Sequence, residues 1–227
     1  MGKETSQRIQ TSILNNAEKK ALIWLAKRQP RWVTSDMLTY FGVFGSILFM
    51  VGGLLSNDNI NWLWLASFGL FIHWYGDSLD GTIARVRNTQ RPVYGFFIDH
   101  TLDAITTLFI FLGVGLSPVL RMDISLLALA GYLCLSIYTY ICTILKGEFR
   151  LTYAAFGPTE FRLLLILINT IFIYAPWAKL RFDIYGMDLG TFDFVGLAIA
   201  FILFLIFLTQ FLKDKKELGK QDPLKSF

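Results

Sequence analysis

Apolar residues in this chain come in long runs, broken by short polar or Gly/Pro-marked connections. The first run, Leu38 to Leu55, carries no charge and is long enough to cross a bilayer with help from its flanks. Five more follow, at about Trp62 to Asp80, Gly95 to Leu120, Ile124 to Leu145, Pro158 to Pro176 and Thr191 to Leu212. Ahead of them, Ile9, Ile13, Ala17, Ala21 and Leu25 recur at every fourth position, with Trp24 beside them and Lys19, Lys20 and Lys27 elsewhere around the helix. That spacing predicts an amphipathic helix, lying in the membrane interface or packed against the bundle or a partner subunit. The expected fold is an all-α integral membrane protein: an N-terminal amphipathic interfacial helix within residues 1–31, six transmembrane helices over 32–212 that form the catalytic domain, and a basic tail over 213–227.

Composition narrows the class further. Of 227 residues, 54% are hydrophobic and 17% charged, which excludes an ordinary water-soluble domain. Six spans leave no stretch long enough for a second core, so any chemistry must belong to the membrane part. The segment Met1 to Arg31 is rich in Lys and Arg and lacks an early apolar core with a small-residue cleavage site, so it is expected to remain in the mature protein. Cys134 and Cys142 lie in apolar sequence with no metal or redox spacing. The net charge of +4 comes from basic residues at the ends of apolar runs, which suits anionic lipid headgroups rather than nucleic acid. These residues also orient the chain. Seven precede the first span, three fall in the second connection, two in the fourth and five in the tail, against three on the opposite face. Both termini are therefore expected to be cytoplasmic.

Four aspartates stand out at the ends of the second and third runs. Asp77 and Asp80 are three apart, and Asp99 and Asp103 four apart, so each pair shares a helix face across a short connection. A carboxylate at mid-membrane costs roughly 2.5 to 3.5 kcal/mol, and less near the interface; Arg85 alone cannot balance four. A cavity of oxygen ligands with negative charge selects hard divalent cations such as Mg²⁺ or Mn²⁺. Gly81 and Ala84 share the face of Asp77 and Asp80 and leave a shallow groove, with the Arg85 guanidinium at its end to meet phosphate. Metal, arginine and groove together suggest a nucleotide diphosphate, although singly Gly81 and Ala84 read as close packing and Arg85 as an interfacial anchor.

The ordered string Asp77-x-x-Asp80-Gly81-x-x-Ala84-Arg85, then Gly95-x-x-x-Asp99-x-x-x-Asp103, resembles the signature of the CDP-alcohol phosphotransferases (CDP-alcohol phosphatidyltransferases), membrane enzymes of phospholipid synthesis. Nine residues separate Arg85 from Gly95 where the pattern has about eight, which affects the connection rather than the carboxylates. The Pro-Asn pair that often precedes the family's first span is only loosely matched by Thr34 to Thr39. The resemblance implies cleavage of a CDP-linked alcohol, release of CMP, and passage of the phosphoryl-alcohol unit to a second hydroxyl. By the same likeness Asp77, Asp80 and Asp99 are the principal ligands of two Mg²⁺ or Mn²⁺ ions, and Asp103 is the general base and a further ligand. Gly81, Ala84, Arg85 and Gly95 bind the nucleotide. A homodimer at the cytoplasmic leaflet, among membrane lipids, is implied too.

Other polar residues are weighed beside these. Asp99-His100 resembles the choline and ethanolamine phosphotransferase branch, yet His100 projects about 100° away from Asp99 and reads as a supporting or interfacial histidine. His73, within the aromatic stretch Phe71 to Tyr75, reads as structural. Lys146, Arg150 and Arg162 are candidates for binding an acceptor phosphate or carboxylate. Of two donor assignments, the preferred one is CDP-diacylglycerol to a polar alcohol, which the compact length favours; the alternative is a soluble CDP-alcohol to a lipid hydroxyl, which Asp99-His100 favours. A divalent-cation transporter is the alternative of another class, but the first, fourth and sixth runs offer almost no ionisable stepping stones.

Overall fold

The computed structural model describes residues 7–9, 15–146, 148–150 and 157–222. Its elements are β1 (Gln7–Ile9), α1 (Asn15–Arg28), α2 (Ser35–Leu55), α3 (Leu63–Val86), α4 (Pro92–Leu116), α5 (Met122–Lys146), β2 (Glu148–Arg150), α6 (Pro158–Tyr174), β3 (Arg181–Ile184), β4 (Met187–Gly190) and α7 (Thr191–Gln221). Each predicted apolar run is a helix. Four of them, α2, α4, α5 and α7, are long and apolar enough to cross a membrane. α3 carries charged residues toward its C-terminal end and α6 has 17 residues. Large apolar side chains such as Phe68, Phe71, Leu167, Phe201 and Leu205 lie exposed on the outer faces of these helices, an arrangement that only an apolar solvent makes favourable.

Glycine seams set the spacing of the bundle. A Cβ on Gly45 of α2 would fall 2.4 Å from the amide nitrogen of His73 on α3, and one on Gly76 of α3 would fall 2.4 Å from both the Gly42 nitrogen and the Leu38 oxygen. Gly53 meets the Gly113 carbonyl of α4 at 2.2 Å in the same sense. No larger residue fits where backbone meets backbone, so α2 is drawn against α3 and α4 at once. Asn169 on α6 donates to Ser67 on α3 across 3.1 Å, a buried bond that ties the fifth long helix in register.

Two ends of the bundle are distinguishable. At one, the start of α2 meets the end of α3: Thr34 caps α2 by accepting from the Met37 nitrogen at 3.2 Å, and Arg91 pairs with Asp36. The end of α5 meets the end of α7 there, where Lys146 Nζ lies 3.0 Å from both Asp214 and Glu217. At the other end, β3 and β4 form an antiparallel hairpin turning at Tyr185 and Gly186, both at positive φ. Buried Asp193 there accepts from the Arg121 and Gly190 nitrogens at 2.8 and 2.6 Å, capping α7.

The N-terminal helix departs from its predicted register. Residues 10–14, with Ile13, lie outside the described set, and Ile9 belongs to β1, which pairs in parallel with β2. α1 begins at Asn15, and its buried stripe runs through Leu22 and Ala26 with Glu18, Leu25 and Gln29 half-buried, while Ala17 and Ala21 are exposed. The stripe is rotated by about one residue from the expected one. Tertiary contact explains the shift: Leu22 and Ala26 join Leu38, Leu79 and Ile83 in one cluster, and Glu18 Oε1 accepts from Trp74, Ser78 and Thr159 at 2.8, 3.4 and 2.7 Å. A glutamate that receives three donors belongs on the inner face whatever its hydropathy.

Candidate active site

The site forms where the last turns of α3 face the first turns of α4, beside the start of α2. One carboxylate oxygen from each of Asp77, Asp99 and Asp103 lies within 4.8 Å of the others, all three side chains half-buried. The expected i, i+4 pairing on α4 therefore holds, with Asp77 arriving from α3. A pocket between these helices is lined by Thr39, Gly42, His73, Asp77, Asp99 and Asp103, together with Val43, Leu102 and Thr106. Gly42 matters because its missing side chain leaves the pocket wall open at the Asp77 backbone, 3.2 Å from a built Cβ.

Asp80 stands apart from this trio. Its carboxylate is buried and accepts from Thr39 Oγ1 at 2.7 Å and from the Gly81 nitrogen, while Ser35 Oγ donates to its carbonyl at 3.0 Å. Ser35 and Thr39 were not singled out in the sequence beyond the loosely matched stretch that holds them. The signal available was their position on the first turns of α2, at helical spacing of four.

Arg162 is the residue that tertiary structure promotes most. Its side chain is buried at 7% exposure, reaching from α6 to donate to Asp77 Oδ2 through Nη2 and to His73 Nδ1 through Nε at 2.9 Å. His73, expected as structural, also lines the carboxylate pocket. Taken as ionised, three carboxylates and one guanidinium leave two negative charges, a balance that one divalent cation meets. The donor set, oxygen only and convergent, fits a hard cation.

The remaining candidates divide. Arg85 is exposed and folds back along its own helix, its Nη2 donating to Thr82 Oγ1 at 3.0 Å and its Nη1 lying 3.3 Å from a Cβ built on Gly81. Ala84 is buried, and Gly95 has open space where its Cβ would be. α3 runs on to Val86 and α4 starts at Pro92, so the long Arg85–Gly95 spacing is absorbed by helix ends around Asn88, which sits at positive φ. His100 stays beside the trio, its Nδ1 donating to the Phe96 carbonyl at 2.8 Å and lying 3.9 Å from Asp99 Oδ2, while its ring meets Tyr140 of α5 edge-on. Lys146 is drawn to the carboxylates of α7, and the side chain of Arg150 lies outside the described set.

Fold and site together define a helical membrane protein with a convergent carboxylate centre at one end of its bundle. Residues 32–212 match the family model for CDP-alcohol phosphatidyltransferase, and the chain belongs to that family. It is 24% identical over 191 residues to Cholinephosphotransferase 1 of Danio rerio, covering 79% of this chain and 49% of that one. Similarity also extends to Phosphatidylinositol phosphate synthase of Cutibacterium acnes (35% over 84 residues, 37% of this chain and 38% of the relative). Archaetidylinositol phosphate synthase of Pyrococcus horikoshii is 29% identical over 140 residues, 62% of this chain and 70% of its own. The chain spans about half the length of the cholinephosphotransferase it matches. Apolar helices and family membership make it an integral membrane protein.

Proposed function

We propose that this chain is a transferase of phospholipid synthesis that moves a phosphoryl-alcohol unit from a CDP-linked donor to an acceptor hydroxyl and releases CMP. The observation that carries the reading is the convergence of Asp77, Asp99 and Asp103 from two helices that also bear the family signature. Residues 32–212 form the catalytic bundle of six spans, with α1 at the interface, both termini cytoplasmic and the carboxylates at the inner leaflet, as the basic residues orient it.

Asp77, Asp99 and Asp103 would hold Mg²⁺ or Mn²⁺, with Asp80 beside them. When bound, two such cations neutralise pyrophosphate charge and stabilise the leaving phosphate. Arg162 balances Asp77 and fixes its orientation, while Thr39 holds Asp80 in place. Asp103 takes the proton of the acceptor hydroxyl; the acceptor oxygen bonds to the alcohol-bearing phosphorus, and the bond to the bridging oxygen breaks, so that CMP departs with that oxygen. Gly81 and Gly95 leave room for the nucleotide, and Arg85 swings from Thr82 to its phosphate.

For the substrates, a soluble CDP-alcohol donating to a lipid hydroxyl is the better supported arm. Similarity to cholinephosphotransferase covers most of the chain, and Arg162 and Lys146, candidates to bind a phosphorylated acceptor, are already paired with carboxylates. An uncharged acceptor needs no such cation. CDP-diacylglycerol donating to a polar alcohol is the second reading, favoured by compact length and the inositol phosphate synthase likeness. The test is CMP release by the purified chain with CDP-choline or CDP-ethanolamine plus diacylglycerol, and separately with CDP-diacylglycerol plus polar acceptors. Activity only in the second set reverses the assignment. No CMP from either set, with Mn²⁺ flux into vesicles, would establish a transporter instead.

A further inference from the structure

His73 sits one turn before Asp77 on α3, buried at 4% exposure among the helices that build the site. Its Nδ1 accepts a hydrogen bond from Arg162 Nε at 2.9 Å. A guanidinium has donors only, so Nδ1 is unprotonated, and the neutral ring carries its proton on Nε2. That Nε2–H has no protein acceptor among the described residues although it is fully shielded. An orphaned buried donor is costly and calls for a partner, and the residue lines the pocket that Asp77, Asp99 and Asp103 share.

From this we infer that His73 is a substrate-positioning residue, its Nε2–H donating to an anionic phosphoryl oxygen of the substrate seated against the three aspartates. The inference rests on the transferase reading above and adds a contact to it. The tautomer excludes two other roles: with Nδ1 engaged and Nε2 protonated, the ring offers no lone pair to a metal and cannot accept a proton as a base. A neutral donor suits this place, because it fixes a phosphoryl oxygen without competing for the carboxylates as another cation would. Arg162 acts through His73 as well as on Asp77, holding the ring so that its donor stays turned away from α6.

The test uses the full chain in lipid nanodiscs. The chain holds two histidines, so ¹⁵N-histidine labelling gives two ring systems, assigned by the signal lost in His73→Phe. The expected result is a neutral Nε2–H ring for His73 whose resonance moves on adding Mg²⁺ with CDP-choline or CDP-diacylglycerol. His73→Phe should lower kcat/KM for the donor at least about tenfold, the scale of one hydrogen bond to a charged oxygen. His73→Gln, which keeps an N–H donor at a similar reach, should recover most of that loss. A merely structural histidine would lower the melting temperature of both variants equally and leave the resonance still when nucleotide binds. If the wild-type chain releases CMP while His73→Phe matches it, or Gln recovers nothing and the resonance does not move, the positioning role is overturned and the transferase reading stands. If no donor yields CMP from the wild-type chain, both fall.

Discussion

Gly76→Ala puts the helix seam under direct test. The added methyl carbon would lie 2.4 Å from the Gly42 nitrogen and from the Leu38 oxygen, about 1 Å inside ordinary contact at 3.4 Å. Both neighbours are backbone, so no side chain can swing aside, and α2 and α3 must separate. Alanine gains about 1 kcal/mol over glycine in helix propensity, whereas overpacking of this kind costs about 1–3 kcal/mol. The net effect is a loss of about 0–2 kcal/mol in stability. The larger effect falls on the site: the Thr39–Asp80 bond, now 2.7 Å, stretches to about 3.7 Å if the separation is transmitted whole, beyond hydrogen-bonding range, and Asp77, the next residue, moves with α3. Thermal unfolding in detergent and metal-dependent CMP release measure the two effects separately. Gly219→Ala, at a helix position with nothing within 4 Å of the new carbon, is the control and should be neutral or slightly stabilising. A Gly76→Ala protein that melts and turns over like the wild type would refute the claim that this seam sets the spacing of the site.

Three further outcomes are expected. Asp103→Asn should lose at least about 10²-fold in turnover, the scale of a positioned general base; wild-type rates of CMP release would remove it from that role. Chelation by EDTA should abolish CMP release, with Mg²⁺ or Mn²⁺ restoring it, and Asp99→Asn should raise the metal concentration needed for half-activity; activity indifferent to EDTA would contradict a metal centre. Arg87 donates to the carbonyls of Gln29, Pro30 and Val33 at 3.0, 2.8 and 2.5 Å, so Arg87→Ala should expose the α1–α2 connection to trypsin at Arg28 and Arg31, read by mass spectrometry, while an unchanged digestion pattern would show the connection held by other contacts.

What the amino-acid order determined was everything that depends on period and local chemistry. Six long apolar runs became six helices because hydropathy over such lengths admits little else in lipid. Asp99 and Asp103 were bound to share a face because four residues make roughly one helical turn, and the signature through Asp77 and Asp80 carried the family. Tertiary structure decided what depends on neighbours far along the chain. Nothing in the order of residues singles out Gly42, Gly45, Gly69 and Gly76; only the packed helices disclose that they place backbone against backbone. The stripe of α1 turned by a residue because Glu18 found three donors on α3 and α6. Arg162 lies 85 residues from Asp77 and 89 from His73, and no periodicity links such positions: a side chain's partner across a bundle is set by which helices pack together, and that packing set against Asp77 an arginine that the sequence offered only as a candidate for the acceptor, and against that arginine a histidine read as structural.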